Sequence, residues 1–279
     1  MTTTASHTPT AAVAGSGGSG GFSRLLLAEW TKLRSVRSTM WSLLLLAVLT
    51  LGFTALFTAL TVSQWDKSTR SQQLQIINDP VGMILGGGFQ LSQLAICVLG
   101  VMVMASEYST GMIRSSLLAV PKRIPMLLAK SVVFVAVVFV VGELVAFATF
   151  FIGAPILHSK APVALGDPGV LRAIIGAGLY LAMLGLFALS VGAIVRHVAA
   201  AITGIIGFVL VLAPLAQLLP GSLGDHIHAY LPTEAGRLIA QSRQGPNDLL
   251  TPWQGFGVFA IWTVALLAVA AYLLNRRDA

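Results

Sequence analysis

The sequence predicts an all-α integral membrane protein of six transmembrane helices preceded by an amino-terminal interfacial helix. Three observations predict it: the composition, the recurrence of long apolar stretches, and the distribution of basic residues between them. Of 279 residues, 56% are hydrophobic and only 10% charged, with a mean hydropathy of +0.86. A soluble domain keeps roughly a quarter of its residues charged to cover its surface. A water-soluble globule is therefore excluded, and lipid is the medium these side chains require.

The first 21 residues are mostly Thr, Ala, Ser and Gly and end in a Gly/Ser run. They bury too little to offset their ordering entropy and are expected to form a disordered cytoplasmic tail. They also lack the basic start and apolar core of a secretory signal. Residues 22–279 form the predicted membrane domain. From Phe22, the apolar residues Leu25, Leu26, Trp30, Leu33 and Val36 recur at three- and four-residue spacing. Arg24, Glu29, Lys32 and Arg34 lie largely off that face, the pattern of a helix lying on a membrane surface.

Six stretches then exceed or approach the roughly 20 residues needed to cross a bilayer core. Residues 38–65, 80–106, 173–195, 198–219 and 249–275 contain no Asp, Glu, Lys or Arg, and 131–156 contains only Glu143. The spans fall at about 40–62, 82–104, 128–153, 172–195, 198–219 and 253–274. Each must be helical, because lipid offers no partner to a bare backbone amide. With the amino terminus inside, eleven Lys and Arg fall on cytoplasmic segments and six outside. That asymmetry follows the positive-inside rule and places both termini in the cytoplasm of a multi-pass plasma-membrane protein. It also accounts for the net charge of +7 without nucleic acid. Within the spans, Gly82 and Gly86 form a small-xxx-small pair, the run 86–88 loosens the second helix, and Pro214 bends the fifth.

Few residues offer chemistry. Cys97 is the only cysteine, so an intrachain disulfide is impossible and a cysteine-based metal cluster has no ligand set. Asp225, His226 and His228 include competent metal ligands, but their spacing matches no common motif and solvated loop residues are the plainer reading. No metal site is expected. Ser42, Ser92 and Ser190 lie in spans without a histidine at depth or a Gly-x-Ser-x-Gly elbow, which argues against an intramembrane hydrolase. Glu143 is the lone carboxylate inside a span and must be neutral, paired or facing water. Gln90, Ser92, Gln93 and Gln217 either line a polar path with it or join helices by hydrogen bonds. The loop after span two is the richest stretch. There Ser109 or Thr110 caps a short helix that Pro121 ends, and Glu107 pairs with Arg114 or serves with it as a handle for a partner.

Three segments carry a resemblance: 28–34 (AEWTKLR), Glu107-Tyr108 with Gly111 and Ile113-Arg114, and 231–236 (LPTEAG). In that order on a six-span frame, they resemble the membrane subunits of type-2 ATP-binding-cassette exporters, particularly actinobacterial ones, from about Phe22 to the carboxyl terminus. The resemblance implies a noncatalytic permease subunit, pairing with a second permease subunit and docking a separate cytoplasmic ATPase. It implies that Glu107, Tyr108, Gly111 and Arg114, with Glu29 and Lys32 of the surface helix, form the coupling surface. It also implies short outer half-helices between spans five and six, for which 221–250 is long enough. The chain has no Gly-x-x-x-x-Gly-Lys-Ser/Thr loop, so ATP and Mg would belong to the partner, with no cofactor on this chain. The low charge of the spans favours an apolar or amphipathic substrate such as a drug, peptide or lipid. An ATP-independent carrier or channel built around Glu143 is the alternative.

Overall fold

The computed structural model describes residues 20–112, 123–212, 215–216, 218, 221–245 and 248–276. Those residues are helical or irregular, with no strand among them. In chain order the helices are α1 (Gly20–Ser35), α2 (Arg37–Ser63), α3 (Arg70–Asn78), α4 (Pro80–Ser109) and α5 (Arg123–Leu157). They are followed by α6 (Val170–Val195), α7 (Val198–Gly207), α8 (Gly221–Tyr230), α9 (Pro232–Arg237) and α10 (Pro252–Arg276). Five of these, α2, α4, α5, α6 and α10, are long and apolar enough to cross a membrane, the architecture of a membrane-embedded protein.

Local chemistry sets the boundaries. Thr69 and Gln72 form a capping box at the start of α3. Asp79 accepts from the Gly82 amide at 3.1 Å and Pro80 occupies the first turn of α4, where its missing N–H costs nothing. The long helices are apolar all round, so packing chooses which faces are buried. Leu44, Leu45 and Val48 of α2 stay exposed while Leu43 and Leu46 are buried. α6 is the central helix, with Tyr180, Leu184 and Leu189 fully buried, and it packs against α4, α5 and α10. Tyr180 stacks obliquely between Phe89 of α4 and Phe259 of α10, with centroids 5.2 and 5.5 Å apart.

Four expectations change. α1 begins at Gly20, within the stretch 1–21 read as tail. α4 runs unbroken through Gly86-Gly87-Gly88. Its small-residue contact is at Gly87 and Gly88, not at the Gly82 and Gly86 pair. A Cβ at Gly88 would penetrate the Thr50 carbonyl, whereas one at Gly86 would meet nothing within 4 Å. Here the missing side chain lets α2 and α4 touch backbone to backbone, and Thr50 and Ser92 join hydroxyls across the same contact. Gly88→Ala is therefore expected to destabilise the protein by about 1–3 kcal/mol through overpacking. Gly86→Ala should be neutral or stabilising by up to about 1 kcal/mol. Thermal unfolding of the two variants in one detergent checks the contrast, and equal effects would sink it.

The fourth change concerns the stretch 198–219. After ten α-helical residues the backbone passes into a π-helix, Phe208–Leu212. These residues are too few to be counted with the five long helices. Pro214, Gln217 and the bend expected there lie outside the described residues.

Helix ends sort onto two faces. Arg196, at the end of α6, donates to the Leu273 carbonyl near the end of α10 at 3.2 Å. Arg123, at the start of α5, donates to Leu274 at 2.7 Å. The start of α2 and the end of α4 join them through α1. This is the basic end of the bundle. At the opposite end Asp79, at the start of α4, accepts from the Ser242 amide at 3.2 Å and from its hydroxyl. Arg172, near the start of α6, donates to the Ser242 carbonyl at 3.1 Å.

Candidate functional site

The densest charge chemistry lies at the basic end. Lys130, two turns into α5, is almost wholly buried, its side chain 4% exposed. Its ammonium donates to Glu29 Oε2 of α1 at 2.8 Å and to Glu107 Oε1 of α4 at 2.7 Å. Lys32 of α1 donates to the same Glu107 oxygen. Glu29 and Lys32 are three residues apart on one helix and so share a face. Two cations and two carboxylates thus form a neutral cluster that joins α1 to α4 and α5.

Burial decides what such a cluster is worth. Desolvating four charges costs about as much as their attraction returns, so the network adds little stability over an apolar replacement. Removing one member is a different matter, because it strands the others. The network consequently fixes where α1 sits, since no other placement offers Glu29 and Lys32 both partners. Leu33 secures the same face by joining the apolar core.

Tyr108 follows Glu107 in the last turn of α4, and the guanidinium of Arg196 lies over its ring at 4.8 Å, a cation–π contact. Arg196 itself is a non-glycine residue at φ 59°, capping α6 by donating its N–H to Gly192 O. Arg123 and Arg196 thereby place two cations at the carboxyl end of α10, where the helix dipole favours them. Thr110 caps α4, and Gly111 follows at φ +71°, the left-handed conformation for which glycine is suited at a helix end. Among the described residues no neighbour crowds Gly111, and the requirement seen there is its positive φ.

The structure thus brings three of the six expected coupling residues, Glu29, Lys32 and Glu107, into one network, with Tyr108 next to it on α4 against Arg196 and Gly111 just past the end of that helix. Glu107 and Tyr108 belong to α4, not to a loop, and Glu107 pairs with Lys130 and Lys32. Arg114, expected as its partner, lies outside the described residues together with the short helix before Pro121. Lys130, Arg123 and Arg196 were legible only as inside-positive charge. The one sequence signal for Lys130 was a lysine placed next to an apolar span.

Beside the network is a cleft of about 260 Å³ between α1, α2, α4 and α5, lined by its charged residues and by Leu99, Met102, Val103 and Val133. None of Gln90, Gln93 and Glu143 lines it. Gln90 is exposed and Gln93 buried on α4. Glu143 of α5 packs against the Cα of Gly178, and both its carboxylate oxygens are buried without a hydrogen-bond partner. Gln217, the fourth of these residues, lies outside the described residues.

At the opposite end, Glu234 of α9 pairs with Arg237 at 2.9 Å and lies 3.6 Å from His228 Nε2. Asp225, His228, Glu234, Arg237, Gln241 and Asp248 line a cleft of about 700 Å³. Among the described residues, no three His, Cys, Asp or Glu side chains are grouped to hold a metal ion. Sequence reasoning missed Asp79, which caps α4 and fixes Ser242 at once. No family model matches the chain, and no curated protein shows significant similarity to it.

Proposed function

We propose that this chain is the permease subunit of an ATP-driven exporter of the type-2 ATP-binding-cassette kind, energised by a separate ATPase that docks on its basic end. The observation that carries the reading is the buried Lys130–Glu29–Glu107–Lys32 network. It couples a surface helix rigidly to two long membrane helices. A motor moving α1 and the segment after Gly111 would therefore move α4 and α5 as well. The chain's own lack of a phosphate-binding glycine loop is consistent with ATP and Mg belonging to the partner.

Six passes fit the arrangement of helix ends. α4, α6 and α10 all finish at the basic end, yet α6 and α10 are consecutive among the long helices. The chain between them must regain the opposite end, and α7 with the π-helix supplies about 22 Å of rise toward it at about 1.5 Å per residue. In this reading the basic end is cytoplasmic, α1 lies in the interface, and α8 and α9 are the outer half-helices. A second permease subunit completes the pathway for an apolar or amphipathic substrate. The cycle is alternating access, in which ATP closes the motor and the paired spans open outward.

Purification of the tagged chain from its native host in mild detergent tests the reading. The expected result is a stoichiometric ATP-binding protein with vanadate-sensitive turnover. Gly111→Pro should abolish both while the chain still inserts, because proline fixes φ near −65° where the structure has +71°. A clean, assembled membrane protein with no ATPase would remove the exporter reading. One observation favours a second one, an ATP-independent carrier: the unpartnered carboxylate of Glu143 at membrane depth. Loss of transport in Glu143→Gln, with Gly111→Pro fully active, would select it.

A further inference from the structure

We infer that the cleft beside the ion network holds the head group of one bilayer lipid, a zwitterion carrying a primary ammonium and a phosphate, as in phosphatidylethanolamine. The cleft is amphipathic in the required sense. Its polar side presents Glu29 and Lys32, which keep 14% and 27% of their side-chain surface exposed. Its apolar side is Leu99, Met102, Val103 and Val133. Met102 is itself exposed, so a chain can leave the cleft past it into lipid.

Size suits a lipid. A cleft of about 260 Å³ lies at the small end of ligand pockets, and a lipid needs only its head held by protein while its tails stay in the bilayer.

Charge selects the head. The network is neutral as it stands, with two lysines and two glutamates, so a ligand of net charge would unbalance a buried cluster. A zwitterion does not. Only Oε2 of Glu29 is engaged by Lys130, which leaves Oε1 to accept from an ammonium. Lys32 spends one N–H on Glu107, and its ammonium has three, so a phosphate can take another. The two residues are i,i+3 neighbours on one helix face, so one short head group with amine and phosphate two carbons apart can face both. A choline head lacks the N–H donor, and a glycerol phosphate head brings an uncompensated negative charge.

The inference goes beyond the exporter reading, and its test contains no ATPase, so either can fail alone. The full chain is reconstituted in nanodiscs of equal parts phosphatidylethanolamine, phosphatidylcholine and phosphatidylglycerol, extracted gently and weighed by native mass spectrometry. The expected result is one retained phosphatidylethanolamine per chain, at least tenfold over either competitor. Met102→Trp fills the apolar side without touching the ion pairs and should abolish retention. Thr39→Trp, at the rim, provides the same test should the first variant not fold. Equal retention of the three lipids, preference for phosphatidylglycerol, or undiminished retention in the folded tryptophan variant would overturn the inference.

Discussion

Lys130→Ala is expected to be among the most destabilising single substitutions in the protein, costing about 3–5 kcal/mol. The ammonium is buried and shared by Glu29 and Glu107. Among the described residues, its removal leaves Glu107, 3% exposed, with Lys32 as its remaining cation and Glu29 with none. α1 should then leave its seat and fray, so that Arg24 and Arg34, exposed but held in helix in the native protein, and Lys32 become cleavable. Thermal unfolding in detergent together with limited trypsin digestion reads both effects. A compensated variant provides the sharper test. Lys130→Met with Glu29→Gln and Glu107→Gln removes the charges together and frees Lys32 to reach water, so most of the stability should return. Should the triple variant be as unstable as the single one, the loss would belong to packing around Lys130 and not to stranded charge.

Much of the scaffold was legible because it depends on composition. Apolar runs long enough to cross lipid have one backbone solution, and five of the six expected runs are long helices in the structure. Where α4 ends was less legible. Its helix outlasts its apolar run because Glu107 is solvated by lysines instead of water, so the turn that carries it need not unwind. The change to π-helix at Phe208 is invisible to hydropathy, since α and π turns use the same side chains.

The site divides in the same way. Glu29, Lys32, Glu107 and Tyr108 were named through the resemblance, but nothing in a single sequence says that α1 rests against α4 and α5. Lys130 therefore passed as a topological charge. The glycines show the limit most plainly: Gly82 and Gly86 have the right spacing and Gly88 makes the contact, because rotation of α4 about its axis is fixed by the whole bundle. The segment 221–250 was expected to hold short outer half-helices. In the structure Pro232, Thr233, Ala235, Gly236, Ile239 and Ala240 are all buried, a depth that its polar residues conceal.

That depth supports the second large expectation, that Gly176→Leu ejects the segment 232–240 from the bundle. Gly176 lies about six residues below the start of α6, a depth of about 9 Å. A Cβ there would penetrate the Ile239 carbonyl, and one at Gly255 of α10 would penetrate that of Ala235. The segment is thus gripped from two sides by helices that carry no side chain at the point of contact. A helix as short as α9 leaves most of its end amides and carbonyls without intrahelical partners, and such groups are tolerated inside a bundle of apolar helices only while protein covers them. It cannot slide to make room, because Ser242 just beyond it is tied to Asp79 and Arg172. A leucine at 176 must therefore displace it outright. Cysteine labelling shows the outcome directly. Ala235 is fully buried, so Ala235→Cys in a Cys97→Ser background should resist a membrane-impermeant maleimide and react rapidly once Gly176→Leu is added. Continued protection at 235, with the variant folded and inserted, would mean that α6 moves away instead and that the segment is the more rigid of the two.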